Sequence, residues 1–137
     1  MTLTAATSIK IGLYEKCKAI ETALISSRVY PGKAPDNATM PYAVFNRIDG
    51  TPERLITGSD SSVTEMFQLT FWGATPESVE EVAASFKTAL GSFSGSLGGF
   101  TVLSVTLESF GDMPEEFEAD GSKVAAYGVR HDYKIIY

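Results

Sequence analysis

The sequence predicts an α+β domain in the order helix–strand–strand–helix–strand–strand, with two helices packed on one face of a mainly antiparallel four-stranded sheet and a long extended arm between the first two strands. Three observations predict it. Two segments repeat apolar residues at steps of three or four, the period of a helix with one buried face. Four others are rich in β-branched and aromatic residues or alternate apolar with polar ones, as strands do. Each helical segment is followed by two strand segments, and adjacent strand pairs favour antiparallel pairing. With 137 residues, 44% hydrophobic and 20% charged, the chain suits one globular domain over 1–137.

The first helix is carried by Ile9, Leu13, Cys17, Ile20 and Leu24, with Lys10, Glu15, Lys18 and Glu21 mostly off that face and Ser8 or Thr7 as a cap. It fades near Ser26–Arg28, and the three prolines of VYPGKAPDNATMP make 31–41 an extended, irregular connection. Pro41 opens the strand PYAVFNRI. The strand VTEMFQLTFW follows a long link, with Phe67, Leu69 and Phe71 on one face and Gln68 and Thr70 on the other. Gly73 breaks it, and Thr75 and Pro76 supply an N-cap and a first helical residue. The second helix buries Val79, Val82, Ala83, Phe86 and Leu90, places Glu77, Glu80 and Glu81 near the positive end of its dipole, and stops at Gly91. A flexible SFSGSLGG run leads to FTVLSVTLES, with Leu103, Val105 and Leu107 expected on the core face. In VAAYGVRHDYKIIY, Ala125, Tyr127, Val129, His131, Tyr133 and Ile135 share one side and Arg130, Asp132 and Lys134 the other.

The link at 49–62, IDGTPERLITGSDSS with its preceding Ile48, is far longer than a tight hairpin needs, about two to five residues. It holds the aliphatic pair Leu55 and Ile56, which a plain solvent loop gains nothing by exposing. Turn pairs Asp49-Gly50 and Gly58-Ser59 predict an extended hairpin with a hinge at each end.

Charge narrows the function. A net charge of −6 argues against general nucleic-acid binding. Residues 1–47 hold six bases and three acids, whereas 108–120 hold six acids and no base. Opposite signs at opposite ends allow copies to pair head-to-tail, against the plainer reading of a solvated acidic loop. No apolar run approaches the roughly 20 residues of a membrane span, and the N-terminus lacks the pattern of a secretory signal. With Cys17 the single cysteine, no internal disulfide forms, and folding in a reducing cytoplasm is expected.

Reactive groups are sparse. Cys17 and His131 offer one nucleophile–base pairing, yet each lies on the apolar face of its element, where a buried core cysteine and a half-buried histidine are the better reading. One His and one Cys lack the close spacing of a zinc site. DMPEEFEADG lacks the ligand alternation of a calcium loop, GSFSGSLGG lacks the order of a nucleotide cradle, and no Ser stands in a G-x-S-x-G elbow. No catalytic residue, metal or cofactor is expected.

Taken in order, the N-terminal helix with VYPGKAP, the stretch MPYAVFNRIDGTPE, the strand EMFQLTFWGAT running into PESVEEVAASFKTAL, and the aromatic C-terminal strand resemble the tail-terminator, or tail-completion, proteins of long-tailed bacteriophages. DMPEEFEAD is not part of that pattern and reads as an insert. The resemblance implies a structural virion protein, without enzymatic activity, that folds in the host cytoplasm. It implies a homo-oligomeric ring, typically hexameric, at the head-proximal end of the tail tube, which ends tube polymerisation and docks to a head-side connector protein. Genomic DNA would pass through its channel without specific binding, and no membrane is involved. Another neck or minor tail protein, or a small α+β ligand-binding module, is the alternative. On the leading reading Glu53, Arg54, Leu55 and Ile56 of the arm contact a neighbouring subunit or the tube. Asp112, Glu115, Glu116, Glu118 and Asp120 line the channel or face a basic patch on the next subunit.

Overall fold

A computed structural model describes residues 9–20, 25, 28–35, 38–54, 60–91, 93–97, 99–119 and 122–137; along 51–54, 60–61, 114–119 and 122–125 it describes the backbone alone. Two helices, α1 (Ile9–Ala19) and α2 (Pro76–Leu90), accompany seven strands: β1 (Val29–Pro31), β2 (Tyr42–Arg54), β3 (Asp60–Gly73), β4 (Gly95–Leu97), β5 (Phe100–Val102), β6 (Ser104–Ala119) and β7 (Ser122–Ile136). The main sheet has five strands in the order β1-β2-β3-β7-β6, and β4 and β5 form a separate hairpin. All pairings in the main sheet are antiparallel except β1 with β2.

Alternation on the central strands sets the layers. Phe67, Leu69 and Phe71 of β3, Phe45 of β2, and Val129, Tyr133 and Ile135 of β7 project to one face. There they join Ile9, Leu13 and Cys17 of α1 and Val79, Val82, Phe86 and Leu90 of α2 in one buried cluster. Both helices therefore cover the same face, as expected. Aromatic rings run through the cluster: Tyr14 stacks on Phe45 and Phe45 on Phe67, while Phe71 meets Phe86 at a tilt. Thr75 caps α2 by accepting a hydrogen bond from the Ser78 N–H at 3.2 Å, with Pro76 next in the chain. On the opposite face Tyr42, Trp72 and Ala126 form a small second cluster.

Several expectations need correction. The sheet has five strands rather than four, because Val29–Pro31 pairs parallel with Ala43, Val44 and Phe45. Its proline tolerates the position at a sheet edge, and Gly32 at φ 79° turns the chain away directly afterwards. The glycine-rich run after α2 contains an ordered hairpin, anchored by buried Leu97 and Val102. Leu103 is 61% exposed rather than in the core, because the chain breaks between β5 and β6 and Val102 is buried in its place, while Val105 is buried as expected. Leu107 packs against the core only in part, and Tyr127 is exposed. The segment read as an acidic insert is strand: β6 and β7 stay in register out to Ala119 opposite Ser122.

Candidate assembly surfaces

The long link between the first two strands is mostly a continuation of them. β2 and β3 pair out to Arg54 opposite Asp60, and residues 55–59 lie outside the described part. At the root of this arm Arg47 Nε lies 3.0 Å from Oε1 of Glu65, a carboxylate only 5% exposed. Glycine at position 50 leaves room for it, since a Cβ there would stand 3.2 Å from Glu65 Cγ. The Tyr137 phenol is pushed up to about 12, by burial first and then by its hydrogen bond to Glu65. Val63 and Tyr137 exchange backbone hydrogen bonds of 2.7 and 3.0 Å, and beyond that level β2 and β3 are, among the described residues, strand-paired only with each other.

A second arm leaves the other end. The last β3 residue paired with β7 is Gly73, opposite Tyr127. Past it, among the described residues, 115–119 pair only with 122–126, and five residue pairs at about 3.4 Å each carry the ribbon roughly 17 Å beyond the third strand. Because β3 and β7 are antiparallel, the start of β3 and the start of β7 lie at opposite ends of the sheet. The two arms therefore project in opposite directions.

The residues singled out in the sequence fall on this frame as two separate groups. Glu53 and Arg54 are the last residues of β2, opposite Ser62 and Asp60, while Leu55 and Ile56 lie outside the described residues. Asp112 is exposed on β6 opposite Val129. Glu115, Glu116 and Glu118 follow on the same strand opposite Ala126, Ala125 and Lys123, and Asp120 lies outside the described residues. The described members of the two groups thus lie toward opposite ends of the sheet.

Between the arms, the face away from the helices carries a polar network that sequence reasoning did not find. Asp132 accepts from Gln68 Nε2 at 3.1 Å and from Ser109 Oγ at 2.7 Å. Arg130 Nε lies 3.3 Å from the same carboxylate, an ion pair by distance whose N–H is not aligned to donate. Lys134 pairs with Glu108 at 3.0 Å. The signal available in the sequence was the polar side of β7, Arg130, Asp132 and Lys134; their partners come from strands distant in the chain.

Cys17 and His131 are both core residues. Burial pushes the Cys17 thiol up to about 12. His131 Nδ1 lies 3.1 Å from the Tyr133 hydroxyl, and its ring is flanked by Phe71 and Phe110. Burial, aided by Lys87 and opposed by Asp132, holds its pKa below the usual value. Among the described residues, no three of His, Cys, Asp and Glu converge as a metal site, and no helix is long and apolar enough to cross a membrane.

This fold is one used in building virions. It is similar, at a TM-score of 0.70 and 12% identity, to a chain of the virion of native gene transfer agent (GTA) particle, over 98% of this chain and 97% of that one. The chain belongs to the tail completion protein gp17 family, whose model matches residues 12–135. It is accordingly a structural component of a phage tail. No curated protein matches it in sequence.

Proposed function

We propose that copies of this protein form a ring on the head-proximal end of the tail tube, end tube growth there and present the surface that joins the head. The observation that carries this reading is the pair of hairpin arms projecting from opposite ends of one sheet. A part that joins two structures needs a contact at each end and a stiff body between them, and a sheet with a helical layer on one face supplies that body. The β2–β3 arm, with Arg54, Leu55 and Ile56, reaches the tube or a neighbouring subunit. The acidic β6–β7 arm lines the channel or faces a basic patch, and a wall of carboxylates repels phosphates, so the genome slides through without binding. Work of this kind is mechanical and involves no reaction, in keeping with a buried cysteine and histidine.

Replacing Arg54, Leu55 and Ile56 together with Gly or Ser tests it. The domain should fold as before, because Arg54 is only the last paired residue of β2 and the described core is built from other residues. Electron microscopy of phage carrying the variant should show over-long or headless tails. Tails of normal length joined to heads would overturn the role given to this arm.

A further inference from the structure

The sheet has two lateral sides that differ in kind. One is made by α1, β1 and β2, the other by β6 with β7 and α2 behind it. Among the described residues the exposed large hydrophobics are Ile11, Ile48, Leu103, Phe110 and Tyr127. Ile11 and Ile48 belong to the first side; the other three are on or next to β6. Phe110 is 70% exposed and Ile48 52%. α2 leaves β6 partly uncovered, with an open groove of about 540 Å³ between Lys87, Gly91, Val105 and Leu107 and another of about 290 Å³ between Pro76, Glu80, Asp112 and Tyr127.

The two sides also differ in sign. On the first side Lys10, Lys16 and Lys18 of α1, Lys33 after β1 and Arg47 of β2, the last paired with Glu65, outnumber Glu15, Asp49 and Glu53 and leave it net basic. β6 carries Glu108, which pairs with Lys134, and Asp112, then three further glutamates and no base; Lys87 of α2 and Arg130 of β7 lie on the same side but leave it net acidic. Backbone edges are open on both sides. Among the described residues β6 pairs only with β7, and β2 beyond Phe45 pairs only with β3. Ile48 and Glu108 are the bulge residues of their strands, within one residue of the same level across the sheet. Bulges stop an edge from templating an endless ladder, so the partner for such an edge is a shaped surface.

We propose that neighbouring copies of this chain pack side to side, the acidic β6 side of one copy against the basic α1–β1–β2 side of the next. Charge complementarity selects a second copy as the occupant, since one chain carries both halves of the match at opposite lateral sides. A contact between two different surfaces is heterologous and closes into a ring when the rotation allows. Strand direction agrees with it: β2 and β7 run one way and β3 and β6 the other, so rotation about an axis along the strands brings β6 beside an antiparallel β2. The arms are left free to project above and below. The inference rests on the ring reading and says which surfaces close the ring.

Cross-linking tests it. A chain carrying both Ile48→Cys and Phe110→Cys should give a ladder of disulfide-linked oligomers under mild oxidation, whereas either single variant should stop at dimers. Cys17 is buried and stays in place. Adding Asp112→Lys should cut the ladder by at least about tenfold. Mixing that chain with one carrying Lys10→Glu and Lys33→Glu should restore a linked product. Circular dichroism melting confirms that each variant is folded. Rings seen by native mass spectrometry with no such ladder would overturn the lateral surfaces and leave the ring standing. Absence of any oligomer of the wild-type protein, on tube ends or free, would overturn both.

Discussion

Gly128 shows how one missing side chain fixes a surface. A Cβ there would lie 2.6 Å from Trp72 Cζ3 and 2.7 Å from the Met113 carbonyl oxygen. The indole therefore lies against bare backbone, and the second cluster is built on that approach. Gly128→Ala should lower stability by about 1–3 kcal/mol through overpacking, measured by denaturant unfolding. Gly111→Ala, whose new atom would meet only the Arg130 guanidinium at 3.5 Å, should be far milder. The buried titrating groups predict how stability follows pH. His131 has its pKa lowered in the fold, so its contribution is complete above about 6.5 and is lost as pH falls below that value, where the unfolded imidazole takes a proton and the buried one resists. Cys17 is raised to about 12 and Tyr137 also to about 12, so alkali destabilises once the unfolded groups ionise above about 9 to 10. Thermal midpoints should fall at both ends of the scale, and His131→Gln should flatten only the acid limb.

Among the elements, α2 was fully legible because every local rule agreed: Thr75 as cap, Pro76 first, glutamates in the opening turns, one apolar face and a terminal glycine. Thr75→Ala should cost about 1 kcal/mol, read as a shift in unfolding midpoint with the slope unchanged. β3 and the second half of β7 were legible too, since a helical layer on one face enforces strict alternation. The three-residue strands β1 and β4 were not, because each is too short to show a period, and β5 was read as one strand with β6 because the break at Leu103 leaves no mark in the sequence. The acidic half of β6 was misread for a related reason. Among the described residues the two strands beyond Tyr127 pair only with each other, and the packing there is that of Met113 and Ala126 on the small second cluster, a weak constraint on alternation along MPEEFEA. The arm between β2 and β3 announced itself by length, but its direction, opposite to the acidic arm, exists only in the pairing register.

At the scale of the whole molecule, stability should be graded along the strands. Amide hydrogen exchange should be slowest in Phe67–Phe71 and Val129–Tyr133, flanked by strands and roofed by helices, and fastest in the two-stranded ends, Pro52–Arg54 and Glu115–Ala119. Equal protection along β6 would contradict a free-standing ribbon. Such a ribbon also makes reach a stepwise quantity. Inserting one residue into each strand of an arm moves its tip by about 3.4 Å and turns its side chains over, while inserting two restores their facing. Register nearer the core is already held by the third strand, so it does not change. On the proposed joining role, partners separated by different gaps would be matched by changing only an arm, two residue pairs at a time, on a body that need not be redesigned.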